Sequence, residues 1–168
     1  MYPDKTEDKT DAYSFRKATS KDIPVIIELF QKSVLSTNKD FYPANSLKIF
    51  IQEKSLKSRW RSKINTHYAI VAEKNNQLVG FAGMSFWGML DMLLVETSCQ
   101  REGLGSQLLV VLEKYAMLRN IKLLTAQAGL GALPFFESQG FKVVCLNYLE
   151  HHNALVPYYL MTKTFLER

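Results

Sequence analysis

Cysteine, long apolar runs and charge of one sign are what this 168-residue chain has least of. Its two cysteines, Cys99 and Cys145, form no CxxC motif and have no second pair beside them, which excludes a zinc knuckle and a disulfide framework and suggests free thiols in a reducing compartment. No window approaches the ~18 consecutive apolar residues of a membrane span, and the opening MYPDKTEDKTDAY is charged where a secretory signal is apolar. The expectation is therefore a cytoplasmic protein with no membrane partner. Lys and Arg number 21 against 16 Asp and Glu, leaving +5; that balance suits an anionic ligand and makes nucleic acid an unlikely principal partner. No repeat or low-complexity tract interrupts the chain. What is present, 47% hydrophobic residues over this length, fits one domain at roughly 100–200 residues per domain. Residues 1–12 are expected to be a disordered polar tail, and 13–168 a single domain.

Periodicity supplies a coarse layout. Tyr13 to Ala18 alternates as a strand, and Thr19, Ser20, Asp22 and Pro24 are helix-start residues. Ile23, Ile26, Ile27, Phe30 and Val34 then form one apolar stripe of a helix ending near Leu35. Phe41-Tyr42-Pro43 breaks the pattern, and a second helix from about Ser46 carries Leu47, Phe50, Ile51 and Leu56 inward. Strands follow at His67–Glu73 and Gln77–Trp87, joined by an Asn75-Asn76 hairpin turn, and at Met89–Val95 after Gly88. A helix through Leu104, Leu108, Leu112 and Tyr115, a strand at Ile121–Ala126, a short helix at Leu133–Ser138 and strands at Phe141–Tyr148 and Tyr158–Thr164 complete the order β-α-α-β-β-β-α-β-α-β-β. Hairpins mixed with one strand–helix–strand crossover predict a mixed α/β sheet with helices on both faces.

The most informative stretch is LDMLLVETSCQREGLGSQLL, Leu90 to Leu109: an apolar strand, a polar loop with two glycines and an amphipathic helix. The first turn of a helix has N–H groups without intrahelical partners and the positive end of the helix dipole, so such a junction favours an anion. Gly103 and Gly105 permit close approach of backbone. A Walker loop is excluded because no Lys follows Gly105, and a dinucleotide fingerprint because its third small position is Leu108. QREGLG, Gln100 to Gly105, instead matches the Q/R-x-x-G-x-G/A loop of the GCN5-related N-acetyltransferase (GNAT) family. FRKATSKDI at Phe15–Ile23 resembles that family's opening strand and helix. PFFESQGF at Pro134–Phe141 resembles its A-x-x-F-Y-x-x-x-G-F element. The likeness extends from about Phe15 to Phe165. DFYP near Asp40, Trp60, LDMLLVE and YYLMTK are most similar to the bacterial YafP-like subgroup.

This resemblance implies a largely antiparallel, splayed seven-stranded sheet and an acetyl-CoA co-substrate, with no metal. Backbone amides of Arg101, Glu102, Gly103, Leu104, Gly105 and Ser106 would hold the pyrophosphate, with the Gln100 and Arg101 side chains alongside. Leu93, Leu94 and Val95 would pair with the pantetheine arm, Phe135 and Phe136 would flank it, and the Leu93 N–H would be the oxyanion donor. Acyl transfer to an amine of pKa ~10.4 at pH 7 needs about 4.6 kcal/mol for deprotonation, against about 2 kcal/mol for a departing thiolate of pKa ~8.5, so a base is the greater need. Asp91, the acidic residue in an apolar strand, is the candidate; alternation would set it on one face with Met89 and Leu93, and burial would raise its pKa. The bland alternative is a structural ion pair with Lys or Arg. Glu96 is the second candidate base.

Two departures from the family pattern matter. Phe136 stands where a Tyr often protonates the thiolate, leaving water or Tyr148, Tyr158 or Tyr159 for that step. Gly129 stands where an Asn often contacts the cofactor arm. The resemblance implies an acceptor pocket drawn from Phe41, Tyr42, Trp60, His67, Trp87, His151 and His152, with Tyr42 and Trp87 preferred; the acceptor would be a small-molecule or peptide amine. His151 and His152 do not define a metal site. Lys54, Lys57, Arg59, Arg61 and Lys63 form a basic run read as a solvated face of the second helix. Cys99 is not a candidate nucleophile, having no His in sequence reach. The competing reading is a non-catalytic acyl-CoA-binding or interaction module. Either would be a monomer or homodimer.

Overall fold

The computed structural model describes residues 12–151 and 154–165. The predicted tail, apart from Ala12, and His152 lie outside the described residues, as does the side chain of His151. Strand β1 (Ser14–Lys17) leads through a 3₁₀ turn at Ser20–Asp22 into α1 (Ile23–Asn38). Asp22 ties this entry together. Both of its carboxylate oxygens accept from the Arg16 guanidinium at 2.8 and 2.9 Å, and Oδ2 also accepts the Thr19 N–H at 2.7 Å. Arg16 reaches on to Glu73 at 2.9 Å, joining β1 to the next strand. The guanidinium holds the Asp22 carboxyl below its ordinary range, more than offsetting the upward push of burial. Ile23, Ile26, Phe30 and Val34 are buried as their spacing requires, and α1 runs one turn beyond Leu35.

The expected second helix is two: α2 (Ala44–Lys54) and α3 (Lys57–Thr66). No Gly or Pro marks the break. Trp60, fully buried between Phe30 and Phe81 at ring distances of 5.5 and 5.6 Å, donates its indole N–H to the Lys54 carbonyl at 2.9 Å and so closes the last turn of α2. Trp60 is thus a core residue and does not line an acceptor pocket. The basic run is divided with it, Lys54 ending α2 and the other four lying on α3.

Strands β2 (His67–Lys74) and β3 (Gln77–Ser85) are joined by Asn75 and Asn76, both left-handed (φ +52° and +60°), as a two-residue hairpin turn prefers. β3 ends two residues before Trp87, which sits on the following turn. Then come β4 (Met89–Val95), α4 (Leu104–Leu118), β5 (Leu123–Ala128), α5 (Leu133–Ser138), β6 (Lys142–His151) and β7 (Ala154–Thr164). The seven strands form one sheet in the order β1-β2-β3-β4-β5-β7-β6. Every neighbouring pair is antiparallel except β4 with β5, which is parallel and short, pairing only Met89 with Thr125 and Leu90 with Ala126. Beyond Leu90 the two strands part, opening a wedge in the middle of the sheet. One face is packed by α1, α2 and α3 through Ile26, Phe30, Leu47 and Trp60; the other by α4 and α5 through Leu104, Leu108, Leu112 and Phe136.

Candidate active site

The wedge is the mouth of a cleft of about 760 Å³. Its floor is β4. The Glu96 N–H donates to the Val79 carbonyl on β3 at 2.8 Å. Backbone groups alternate along a strand, so those of Leu93 and Val95 turn the other way, toward β5, where among the described residues no strand meets them. The centre of the sheet therefore contains an unpaired strand edge. Such an edge needs a partner with hydrogen-bonding groups of its own.

A bulge alters the side chains. Gly83 pairs with Met92 and Met84 with Leu90, so Asp91 is the extra residue of β4. Alternation breaks there. Leu90, Leu93 and Val95 belong to the α4 side, and Met92 and Leu94 to the α1 side. Asp91 lies on the α1 side, contrary to the expectation that it shares a face with Leu93. It is only partly buried and pairs with the Lys63 ammonium from α3; the His67 Nε2 stands 3.9 Å from the same oxygen. The ion pair weighed as the bland reading is present, at the wall of the cleft.

At the other end, Arg101 (φ +63°) and Gly103 (φ +84°) are both left-handed, and α4 begins at Leu104. Left-handed residues in a turn point successive N–H groups at a common concavity. The first α4 hydrogen bond runs from Gln107 N–H to the Gly103 carbonyl at 3.1 Å, and among the described residues no backbone carbonyl accepts from the N–H groups of Glu102 to Ser106. A Cβ on Gly103 would meet nothing within 4 Å, whereas one on Gly105 would come to 3.2 Å from the Phe135 ring. The loop is thus open on one side and closely approached on the other. This free donor set fits a diphosphate, and the strand edge beside it fits an amide-bearing arm such as pantetheine.

The remaining predicted residues fall as follows. Gln100, Arg101, Gly103, Gly105, Ser106, Phe135 and Phe136 all line the cleft. The Gln100 side chain leans on Ser36 (3.4 Å), and the Ser106 hydroxyl accepts from Gln139 at 3.0 Å. Leu104 turns its side chain into the core, leaving only its backbone for a ligand. The Glu102 carboxylate faces away from the cleft, where it accepts the Tyr13 hydroxyl proton at 2.6 Å; the carboxylate pushes the Tyr13 phenol upward. Trp87 is 72% exposed on the β3–β4 turn and does not line the cleft, because the strand that would have carried it inward stops at Ser85. Tyr42 does line it, but its hydroxyl is engaged, donating to the Pro157 carbonyl at 2.7 Å and accepting the Leu130 N–H at 2.9 Å. Burial pushes this phenol upward, against the lowering effect of the Leu130 N–H. Of Tyr148, Tyr158 and Tyr159, only Tyr158 lines the cleft; Tyr148 is exposed. Glu96, Phe41 and His67 lie outside it.

Three polar residues of the cleft, Asn38, Lys54 and Lys63, were not expected there. Asn38, at the end of α1, places its side-chain oxygen where a Cβ on Gly129 would come within 3.1 Å of it. The glycine that departs from the family pattern makes room for this carboxamide. Lys54 and Lys63 also line the cleft, so the basic run is not wholly the solvated face expected of it. A side chain brought in from a distant helix leaves no local spacing signal.

Residues 36–162 match the model of the acetyltransferase (GNAT) domain. The uncharacterised N-acetyltransferase YafP of Escherichia coli K12 is 31% identical over 123 residues, covering 73% of this chain and 77% of that one. Among solved structures, a GCN5-related N-acetyltransferase from Rhodopseudomonas palustris superposes with a TM-score of 0.86 at 23% identity, covering 94% of this chain and 97% of its own. The PaiA N-acetyltransferase of Thermoplasma acidophilum, solved in complex with coenzyme A, gives 0.78 at 19% identity, covering 92% and 99%. These two likenesses establish the fold.

Proposed function

The chain belongs to the GNAT family of acyl-CoA N-acyltransferases, and from that premise we propose that it moves an acetyl group from acetyl-CoA to a primary amine by direct attack. Acetyl-CoA supplies the activated acyl unit. The free N–H groups between Arg101 and Ser106 bind its diphosphate, and the unpaired backbone of Leu93 and Val95 takes the pantetheine amides in place of a strand, the Leu94 groups being turned to β3. Phe135 and Phe136 keep water from the arm. The Leu93 N–H, turned into the wedge, stabilises negative charge on the carbonyl oxygen, an effect worth roughly 2.7–4 kcal/mol for donors of this kind.

Asp91 accepts the proton that the amine must lose. Its bulge sets it at the wall of the cleft, and Lys63 holds its carboxylate in place. A carboxylate at that wall can take the proton directly or through one water. Phe136 has no hydroxyl, and the Tyr42 hydroxyl is engaged, so the proton for the leaving thiolate is assigned to Tyr158, which lines the cleft. The observation that carries this reading is the parting of β4 from β5 beside a loop of unbonded N–H groups. Calorimetry with coenzyme A, followed by thiol-release assays with acetyl-CoA and a panel of amines, tests it. Absence of coenzyme A binding would remove the reading; binding without thiol release from any amine would leave a non-catalytic module.

A further inference from the structure

We propose that the acceptor amine also bears a carboxylate and that Lys54 receives it; the inference rests on the acetyl-transfer reading above. Lys54 closes α2, its carbonyl fixed by the Trp60 indole, and its ammonium lies 5.8 Å from the centre of the Phe50 ring. With Lys63 and Asp91 it lines one end of the cleft. Among the described residues the single carboxylate lining the cleft, Asp91, is taken by Lys63. Among the described residues no carboxylate lies within ion-pair reach of Lys54. A half-buried ammonium without an anion is costly, and here one positive charge is left over. A monovalent carboxylate matches that charge.

Electrostatics agree with the geometry. Burial, then the neighbouring Arg59 and Lys63, hold the Lys54 ammonium below its ordinary range, while Asp91 and Glu53 counteract them only in part. The diphosphate of coenzyme A does not explain this cation. Asp91 to Val95 alone spans about 13 Å of strand at ~3.3 Å per residue, and the anion-binding loop begins beyond that. Phe30, Val34, Leu47 and Phe50 give the same cleft an apolar wall. The site thus fits a primary amine with an apolar or aryl body and a carboxylate, the outline of an apolar amino acid.

The test compares L-phenylalanine with 2-phenylethylamine, which lacks only the carboxylate, in the wild type, Lys54→Met and Lys54→Arg. The wild type is expected to prefer phenylalanine at least tenfold in kcat/KM. Lys54→Met should bring that ratio near one without changing coenzyme A affinity, and Lys54→Arg should keep the preference. Calorimetry of the coenzyme A complex with 3-phenylpropionate, a carboxylate without an amine, should show at least tenfold weaker binding in Lys54→Met. Equal 3-phenylpropionate affinity in wild type and Lys54→Met, or a wild-type ratio of one or below, overturns the proposal. Lys54-dependent binding of 3-phenylpropionate with no turnover of either amine would uphold the carboxylate seat and count against the acetyl-transfer reading instead.

Discussion

The two ends of the cleft are built from different materials. At the loop end the groups that face a ligand are peptide N–H groups between Arg101 and Ser106, presented by a helix start and two left-handed residues. At the other end they are side chains, Asp91, Lys63 and Lys54, gathered from one strand and two helices. A site made of backbone tolerates most side-chain changes and fails when the chain can no longer take its path. A site made of side chains fails one group at a time.

That difference predicts a graded series of variants. The largest effect is expected for Asp91→Asn, which should lower kcat about 10²–10⁴-fold, the usual range for a lost general base, while coenzyme A affinity measured by calorimetry holds. Loss of affinity with kcat intact would assign Asp91 to binding. Next, Gly103→Val forces a β-branched residue into φ +84° and Gly105→Leu drives a side chain into Phe135. Coenzyme A binding should weaken on the order of 10²-fold in each, about 2.7 kcal/mol. Tyr42→Phe should cost about 1–3 kcal/mol of stability in a urea melt, since the Pro157 carbonyl and Leu130 N–H lose their partner.

Asp22→Asn lies outside both ends and serves as a control, with about 1–2 kcal/mol lost and an unchanged coenzyme A Kd. Because Arg16 holds the native Asp22 carboxyl below its unfolded value, that contribution is present above the unfolded pKa of about 3.9 and disappears as the pH falls through the native one. Wild-type and variant melting curves should therefore converge in acid. The smallest effect is expected for Arg101→Ala, under about tenfold in coenzyme A affinity, because its exposed side chain adds a screened charge to a seat made of backbone. A loss as great as that of Gly103→Val would erase the contrast between the two ends.

The same contrast explains what could be read in the sequence. The loop end is local: strand, Gln100-to-Gly105 pattern and apolar helix lie within twenty residues, and β4 and α5 have the expected bounds. The α1 and α4 stripes were legible because burial follows their period. The side-chain end is assembled over long range. The α2–α3 break depends on a tryptophan six residues past Lys54, buried by contacts from α1 and β3, and so gives no signal of its own. The bulge at Asp91 defeated the alternation that should have shown which way the carboxylate points. Trp87 was misplaced because an apolar run continues past the end of β3 into a turn. Strands β6 and β7 are longer than their apolar content suggests, since pairing with each other carries them through polar residues.

The seam between β4 and β5 has a mechanical side. With two residue pairs crossing it, the seven strands amount to two leaves held by a short clasp, and a molecule lying in the gap braces both. Rigidity in the middle of this protein is then governed by occupancy. Amide hydrogens flanking the gap should exchange with solvent slowly when it is filled and rapidly when it is vacant.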